Sequence, residues 1–145
     1  MNKNIKFLNI ATAVAALSKD PSTQVGAVIL GAAGEGGPWG YNGACRGSTA
    51  DEDNRILERP EKYLWIEHAE RNAIYTAART GFRTVGATMV ITHAPCMDCA
   101  RAIIQAGIKK VIFPSPSPEL VERWGDSFKK AEQLFGECRV ELEFL

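Results

Sequence analysis

The N-terminal part of the chain carries two kinds of hydrophobic pattern. Apolar residues recur with helical spacing and predict a first helix over roughly residues 1–18, which ends before Asp20-Pro21. A nearly continuous apolar run over 24–30 predicts a buried strand. Glycines and a proline follow, so we expect a turn into a second strand near 39–42.

The middle of the chain begins with a long polar segment. Residues 44–64 mix acids and bases without a clean period, a pattern typical of functional loops. Helical spacing resumes over 68–79 and stops at Gly81, where a glycine suits a helix end. The apolar run that follows predicts a strand over 85–92.

The last third continues the alternation of helix and strand. The pattern predicts a helix that starts near Pro95, a strand over 109–113, a rigid Ser-Pro connector, a helix over 119–135 and a strand over 139–144. The order αββαβαβαβ indicates an α/β fold with a mixed five-stranded sheet covered by helices. At 145 residues we expect a single domain over 1–145.

Composition favours a globular protein. Apolar residues make up 46% of the chain, yet no run approaches the roughly 20 residues of a membrane span. The N-terminal apolar residues are interrupted by Lys3, Asn4 and Lys6, which predicts a helix and not a signal peptide. We therefore expect a cytoplasmic protein without a membrane partner.

Charge narrows the choice of partner. Lys plus Arg and Asp plus Glu number 17 each, so the formal net charge is zero. Proteins that follow a nucleic-acid backbone usually carry a basic stripe. The balance favours a small substrate over nucleic acid, because two or three local cations suffice for the phosphates of a free nucleotide.

Two short motifs carry the chemistry. His68 and Glu70 form a His-x-Glu pair, and Cys96 and Cys99 form a Pro-Cys-x-x-Cys group. Catalytic zinc takes three protein ligands and leaves a fourth position open, whereas structural zinc usually takes four. One histidine and two cysteines therefore predict one catalytic Zn²⁺ per chain, and the combined signature is that of zinc deaminases that act on nucleobases.

Glu70 lies two residues beyond the predicted ligand His68, so it can reach a water at the metal without binding the metal itself. We interpret Glu70 as the catalytic acid and base that moves protons between water and substrate. Cys96 and Cys99 are three residues apart at a helix start, where the helix dipole favours thiolates.

Two other interpretations of the cysteines stay open. A redox Cys-x-x-Cys would leave His68 and Glu70 without a role. A closed structural zinc site would need a fourth ligand, for which His93, Cys45 and Cys138 are the candidates. His93 could also lie beside the cysteine loop in a supporting role, although a partly buried histidine at a strand end is the simpler interpretation.

Longer segments resemble a known family. They are SKDPSTQVGAVI at 18–29, GYNG at 40–43, RPEKY at 59–63, EHAERNAI at 67–74 and CARAIIQAGI at 99–108. Together they closely resemble the deoxycytidylate (dCMP) deaminases of the cytidine deaminase-like superfamily. The resemblance covers nearly the whole chain and implies a three-layer α/β/α fold with helices on both faces of the sheet.

The resemblance also implies roles for single residues. His68, Cys96 and Cys99 match the family's zinc ligands and Glu70 its proton donor. Asn42 matches the asparagine that hydrogen-bonds the sugar hydroxyl, although Asn42-Gly43 is also a common turn pair. The amide of Ala69 would bind the pyrimidine carbonyl. Cations of the polar segment could bind phosphate or be a solvated charged face; they are Arg46, which is nearest to Asn42, with Arg55, Arg59 and Lys62.

Family members are typically hexamers that dCTP activates and dTTP inhibits at a separate nucleotide site. The resemblance places Tyr41 and Gly43 in that regulatory region and implies a homo-oligomer, with Mg²⁺ accompanying the effector. The chain departs from the family pattern at Gln24, at 44–47 and in the Ser-Pro connector, near which relatives bind the substrate phosphate. The preference for dCMP or dCTP therefore stays open.

The leading hypothesis is zinc-dependent deamination of dCMP to dUMP, which would feed thymidylate synthesis. A deaminase that acts on tRNA or single-stranded DNA is the alternative within the superfamily, and the neutral charge disfavours it. A zinc-binding module without catalysis is the third possibility, and Glu70 disfavours it.

Overall fold

The computed structural model describes residues 2–145; Met1, the start of the predicted first helix, lies outside it. The described residues form five helices and seven strands. They are α1 (Lys3–Ala15), β1 (Gly26–Leu30), β2 (Gly36–Tyr41), β3 (Gly43–Ala44), α2 (Lys62–Trp65), β4 (Ile66–Glu67), α3 (Ala69–Thr80), β5 (Thr88–Ile91), α4 (Met97–Gln105), β6 (Lys110–Phe113), α5 (Pro118–Glu137) and β7 (Glu141–Phe144). None of these helices combines the length and apolar character that crossing a bilayer requires.

The main sheet has five strands in the order β2-β1-β5-β6-β7. Strand β1 runs antiparallel to both β2 and β5, whereas β5, β6 and β7 are parallel. The prediction of a mixed five-stranded sheet is thus confirmed. Strands β3 and β4 form a separate two-residue ladder, in which Gly43 pairs with Glu67.

Alternate residues of the central strands face different helices. One face of the sheet packs on α1 and includes Val28 and Val90. The other face includes Ile29 and Met89 and packs on α3, α4 and α5. Because successive side chains of a strand point to opposite faces, these buried strands need apolar residues at nearly every position. The three-layer α/β/α arrangement expected from the resemblance is confirmed.

Helix α3 lies directly against strand β2. Its inner face consists of the fully buried alanines Ala69, Ala73 and Ala77. A side chain on Gly40 of β2 would collide with the Ala69 carbonyl oxygen and the Ala73 amide nitrogen. Small residues on both surfaces therefore allow the backbones of α3 and β2 to touch, and this contact fixes where α3 begins.

Element boundaries differ from the predictions in several places. Helix α1 ends at Ala15 instead of near residue 18, because the amides of Leu17 and Ser18 donate to carbonyls three residues back and not four. The Ser18 hydroxyl donates to the carbonyl of Asn42. The strand predicted over 24–30 begins at Gly26, because the amide of Val25 donates to the Asn42 side chain instead of to a neighbouring strand.

Other boundaries shift by a few residues. The strand predicted near 39–42 covers Gly36–Tyr41, and the one predicted over 85–92 covers only Thr88–Ile91. The last helix is longer than predicted, with Ser117 as its N-cap and Pro118 in its first turn. The polar segment 44–64 is mostly turns, as expected, but α2 begins within it at Lys62.

A buried polar network anchors that segment. The ammonium of Lys62 lies 3.1 Å from the carboxylate of Asp20, and both side chains are almost fully buried. The amides of Ser22 and Thr23 also donate to Asp20. Burial alone would raise the pKa of Asp20, but the Ser22 amide, the Lys62 ammonium and the Thr23 amide outweigh it and hold that pKa below its usual range.

We predict that Gly40→Ala destabilises the protein by about 1–3 kcal/mol, because the added methyl group overpacks the contact between β2 and α3. The measurement is the free energy of unfolding from urea titration. Gly36→Ala is the matched control, because it lies in the same strand and a Cβ there meets nothing within 4 Å. Equal losses in the two variants would contradict the proposed close contact.

We predict that Asp20→Asn lowers the free energy of unfolding at pH 7 by about 3 kcal/mol, because Lys62 is left buried without its counter-charge. The folded-state pKa of Asp20 is depressed, so its stabilisation is present above about pH 4 and is lost as the pH falls through the folded-state value. The difference between wild type and variant should therefore shrink on acidification.

The matched control for this substitution is Asp126→Asn, because the Asp126 side chain is 94% exposed. It should change the free energy of unfolding little at any pH. A difference between wild type and Asp20→Asn that does not vary with pH would refute the role of the Asp20 charge.

Candidate active site

The predicted zinc ligands lie at the starts of two helices. His68 is the N-cap of α3 and Cys96 the N-cap of α4, while Cys99 lies in the first turn of α4. The two helices pack on the same face of the sheet. Their positive N-terminal ends therefore meet at one place, where they favour negatively charged ligands such as thiolates.

The geometry of the three side chains matches a metal centre. The Nδ1 atom of His68 lies 3.5 Å from the Sγ atom of Cys96 and 3.4 Å from that of Cys99, and all three atoms lie within 4.8 Å of one another. Tetrahedral zinc, with bonds of about 2.3 Å to sulfur and about 2.0 Å to nitrogen, requires N···S separations of about 3.6 Å. These residues could thus hold a zinc ion through Nδ1 and two sulfurs.

The candidates for a fourth ligand lie elsewhere. Neither His93, Cys45 nor Cys138 belongs to the group of potential ligands found within residues 2–145. Cys45 and Cys138 are exposed free thiols. His93 is partly buried just after β5, with Nδ1 3.0 Å from the Thr92 hydroxyl, as the simpler interpretation predicted. Three protein ligands leave one tetrahedral position for water, which is the pattern of a catalytic centre.

His68, Cys96 and Cys99 shift one another's pKa values. Hydrogen bonding from the Cys99 thiol is the main cause that lowers the pKa of Cys96 to about 4, and His68 adds to the effect. The same bond, together with burial, raises the pKa of Cys99. The bond to Cys96 raises the pKa of His68. Negative charge is therefore already favoured at Cys96, and a bound cation would favour it at both sulfurs.

Glu70 lies beside this group in the first turn of α3 and is only 4% exposed. Burial raises its pKa, against the opposing effects of its own amide, the nearby His68 and the Cys99 thiol. A carboxyl group whose pKa is raised accepts a proton more readily at neutral pH. The environment of Glu70 therefore suits a group that accepts and returns protons.

The residues expected to bind substrate have different surroundings. Asn42 is buried, and its side-chain amide accepts from the Val25 amide and donates to the Thr23 carbonyl, both at 2.8 Å. These bonds support the end of β2, and contact with a sugar stays a prediction. Ala69 is the first residue of α3, where helix amides have no partner within the helix.

The basic residues of the polar segment are mostly engaged with protein groups. Arg46 donates to the Thr76 hydroxyl of α3 at 2.9 Å. Arg55 pairs with Asp53 and stacks on Trp65, 4.2 Å from the ring centre. Lys62 belongs to the buried network described above. Phosphate binding by Arg46, Arg55 or Arg59 stays a prediction.

The residues predicted to belong to a regulatory site lie at the end of β2 and in β3. The Tyr41 ring stacks on Trp39 with ring centres 6.3 Å apart, and its carbonyl accepts from Asn72. Gly43 pairs with Glu67 in the β3–β4 ladder.

Glu67 is a residue beside the site that the motif analysis missed. Its carboxylate bonds both the amide of His68 and the side chain of Arg71. The i, i+4 spacing of Glu67 and Arg71 was the available sequence signal, because Glu67 directly precedes the N-cap of α3 and such a spacing lets the two side chains meet at the first helix turn.

The known proteins that this chain resembles in sequence are deaminases. The family model of the cytidine and deoxycytidylate deaminase zinc-binding region matches residues 1–115. An uncharacterized deaminase of Aliivibrio fischeri is 40% identical over 142 residues, which cover 97% of this chain and 91% of that protein. Human deoxycytidylate deaminase is 39% identical over 116 residues, which cover 75% of this chain and 62% of the human protein.

A solved structure similar to this chain is also that of a deaminase. The dCMP deaminase of cyanophage S-TIM5, solved in complex with dCMP and dUMP, superposes with a TM-score of 0.77 at 26% identity, covering 100% of this chain and 99% of that one. The matched model covers more than half of the chain and includes His68, Glu70, Cys96 and Cys99. The chain therefore belongs to the cytidine and deoxycytidylate deaminase family, whose members are zinc-dependent enzymes.

Proposed function

We propose that this chain catalyses the zinc-dependent hydrolysis of dCMP to dUMP and ammonia. The observation that carries the proposal is the convergence of His68, Cys96 and Cys99 at zinc-ligand spacing, with the buried carboxyl of Glu70 beside them. Three ligands and an adjacent acid/base group are typical of a hydrolytic metal site, whereas a structural site usually has four ligands.

In this proposal His68, Cys96 and Cys99 hold the zinc ion, which when bound supplies the Lewis acidity that activates water for attack. Glu70 takes a proton from the water and gives it to the ring nitrogen next to the carbon that carries the amine. It then carries the second proton to the amine, which leaves as ammonia while the carbonyl of uracil forms. One water is consumed, and Glu70 ends in its starting protonation state.

The choice of dCMP as substrate rests on the relatives. The human relative is a deoxycytidylate deaminase, and the cyanophage enzyme was solved with dCMP and dUMP. The formal net charge of zero also favours a free nucleotide over a polynucleotide. In this proposal Asn42 binds the sugar hydroxyl, the Ala69 amide binds the pyrimidine carbonyl, and Arg46 contributes to phosphate binding.

The resemblance supports further features of the same proposal. The product dUMP would feed thymidylate synthesis. The enzyme would be a homo-oligomer, specifically a hexamer, with dCTP as activator and dTTP as inhibitor near Tyr41 and Gly43, and with Mg²⁺ accompanying the effector. Departures of the sequence in the Ser-Pro connector motivate testing dCTP as a second substrate.

We expect the purified protein to convert dCMP to dUMP, and Glu70→Gln to lower kcat at least about 100-fold because the proton carrier is lost. Turnover of dCMP, dCTP, deoxycytidine and a cytosine-containing single-stranded oligonucleotide is compared, with and without dTTP or a dCTP analogue. Glu122→Gln, on the exposed side of α5, is the matched control and should keep wild-type kcat. Turnover of the oligonucleotide alone would refute the proposal.

We expect about one zinc ion per chain by metal analysis. A chelator should abolish turnover, added Zn²⁺ should restore it, and the metal-free protein should melt at a lower temperature because zinc binds the folded state. Cys99→Ser should retain much less zinc, whereas Cys138→Ser, at an exposed free thiol, should retain the full amount. Full zinc content in Cys99→Ser would argue against the ligand set.

A further inference from the structure

The carboxylate of Glu67 connects the backbone of the metal-site histidine to a cation one helical turn away. Its Oε1 atom accepts a hydrogen bond from the His68 amide at 3.0 Å and another from Nε of Arg71 at 2.5 Å. The Glu67 and Arg71 side chains are 21% and 20% exposed, so the ion pair is largely shielded from water. Hydrogen bonds to charged groups are about twice as strong as neutral ones.

The backbone of Glu67 is fixed as well. Glu67 lies in β4 and pairs with Gly43 of β3. Arg71 belongs to α3, whose first turn packs on β2 through Ala69 and Gly40. Glu67 therefore ties the small ladder to the first turn of α3, and His68 is the residue between them.

We propose that Glu67, oriented by Arg71, is a positioning residue that sets the backbone of His68 and hence the place of its Nδ1 atom relative to the two sulfurs. This inference rests on the proposed zinc site. His68 adopts an extended conformation as the N-cap, with φ −80° and ψ 152°, while Ala69 is already helical. The chain turns sharply there, and the Glu67 bond to the His68 amide fixes that turn.

A small change in the backbone at His68 should have a large effect on zinc binding, for a geometric reason. The His68 ring leaves the backbone directly at this turn, so a small rotation of the peptide moves Nδ1 away from the sulfurs. Groups that orient metal ligands typically contribute about 10–100-fold in metal affinity or activity. Glu67 contacts the backbone of His68. Neither its bond to the His68 amide nor its ion pair with Arg71 involves a reacting atom.

The test compares Glu67→Ala, Glu67→Gln and Asp126→Ala. Glutamine keeps a side-chain oxygen that can accept from the His68 amide, whereas alanine removes it. Asp126 forms an exposed i, i+4 ion pair with Lys130 on α5, so Asp126→Ala is a matched control for the loss of such a pair. Zinc affinity is measured by chelator competition without substrate, and kcat and KM for dCMP are measured on zinc-loaded protein.

We expect Glu67→Ala to weaken zinc affinity about 10–100-fold and to lower kcat with little change in KM. Glu67→Gln should recover most of both losses, and Asp126→Ala should match the wild type. The inference would be overturned if Glu67→Ala had the same zinc affinity and kcat as Asp126→Ala, even if its melting temperature were lower. Failure of Glu67→Gln to recover zinc affinity would also overturn it.

The zinc measurement separates this inference from the substrate assignment. A wild type that binds zinc but does not turn over dCMP would refute the proposed reaction, while the affinities of the Glu67 variants would still decide the positioning role. A wild type that binds no zinc would refute both.

Discussion

The contact between the backbones of α3 and β2 is the constraint on which the site depends. Gly40 and the alanines of α3 leave no side-chain layer between the strand and the helix, so the helix cannot slide or tilt without a collision. Protein interiors are close-packed and transmit such constraints over several residues. Because His68 and Glu70 flank Ala69 at the start of this helix, the packing of Gly40 against the first turn of α3 determines where the predicted nitrogen ligand and the proposed proton carrier lie.

The second half of the site depends on the parallel part of the sheet. Strands β5 and β6 run in the same direction, and α4 connects them across the face that α3 also covers. The connection delivers the Pro95-Cys96 turn beside the first turn of α3, so two helix N-termini share one small region. Their dipoles favour thiolate ligands, and the buried Glu70 carboxyl supplies a group whose pKa burial raises. One arrangement of helices thus brings together the groups that the proposed metal binding and proton transfer require.

Features with a long period or a strict spacing could be predicted from the sequence. The alternation of helices and strands, the mixed sheet and the approach of His68, Cys96 and Cys99 all follow from patterns of ten or more residues or from motif spacing. The β3–β4 ladder could not be predicted, because two residues per strand carry no period. The bonds of Asn42 to Val25 and Thr23 depend on the turn geometry before β1, which composition does not reveal. The spacing of Glu67 and Arg71 signalled an ion pair, but the bond of Glu67 to the His68 amide could not be predicted, because any residue provides a backbone amide.

A buried polar network lies on the route of the chain into His68. Lys62 begins α2, and only five residues separate it from His68, so the pair with Asp20 anchors the approach to the site. A buried ion pair often contributes less to stability than apolar residues of the same size would, which leaves specificity of conformation as a hypothesis for its presence. Asn42 joins the same network and leads directly into β3, the strand that pairs with Glu67. Contacts on both sides of His68 therefore fix its position. Upstream along the chain, charges and hydrogen bonds restrict rotation of the turn at His68. Downstream, the backbone packing of α3 on β2 restricts translation of the helix.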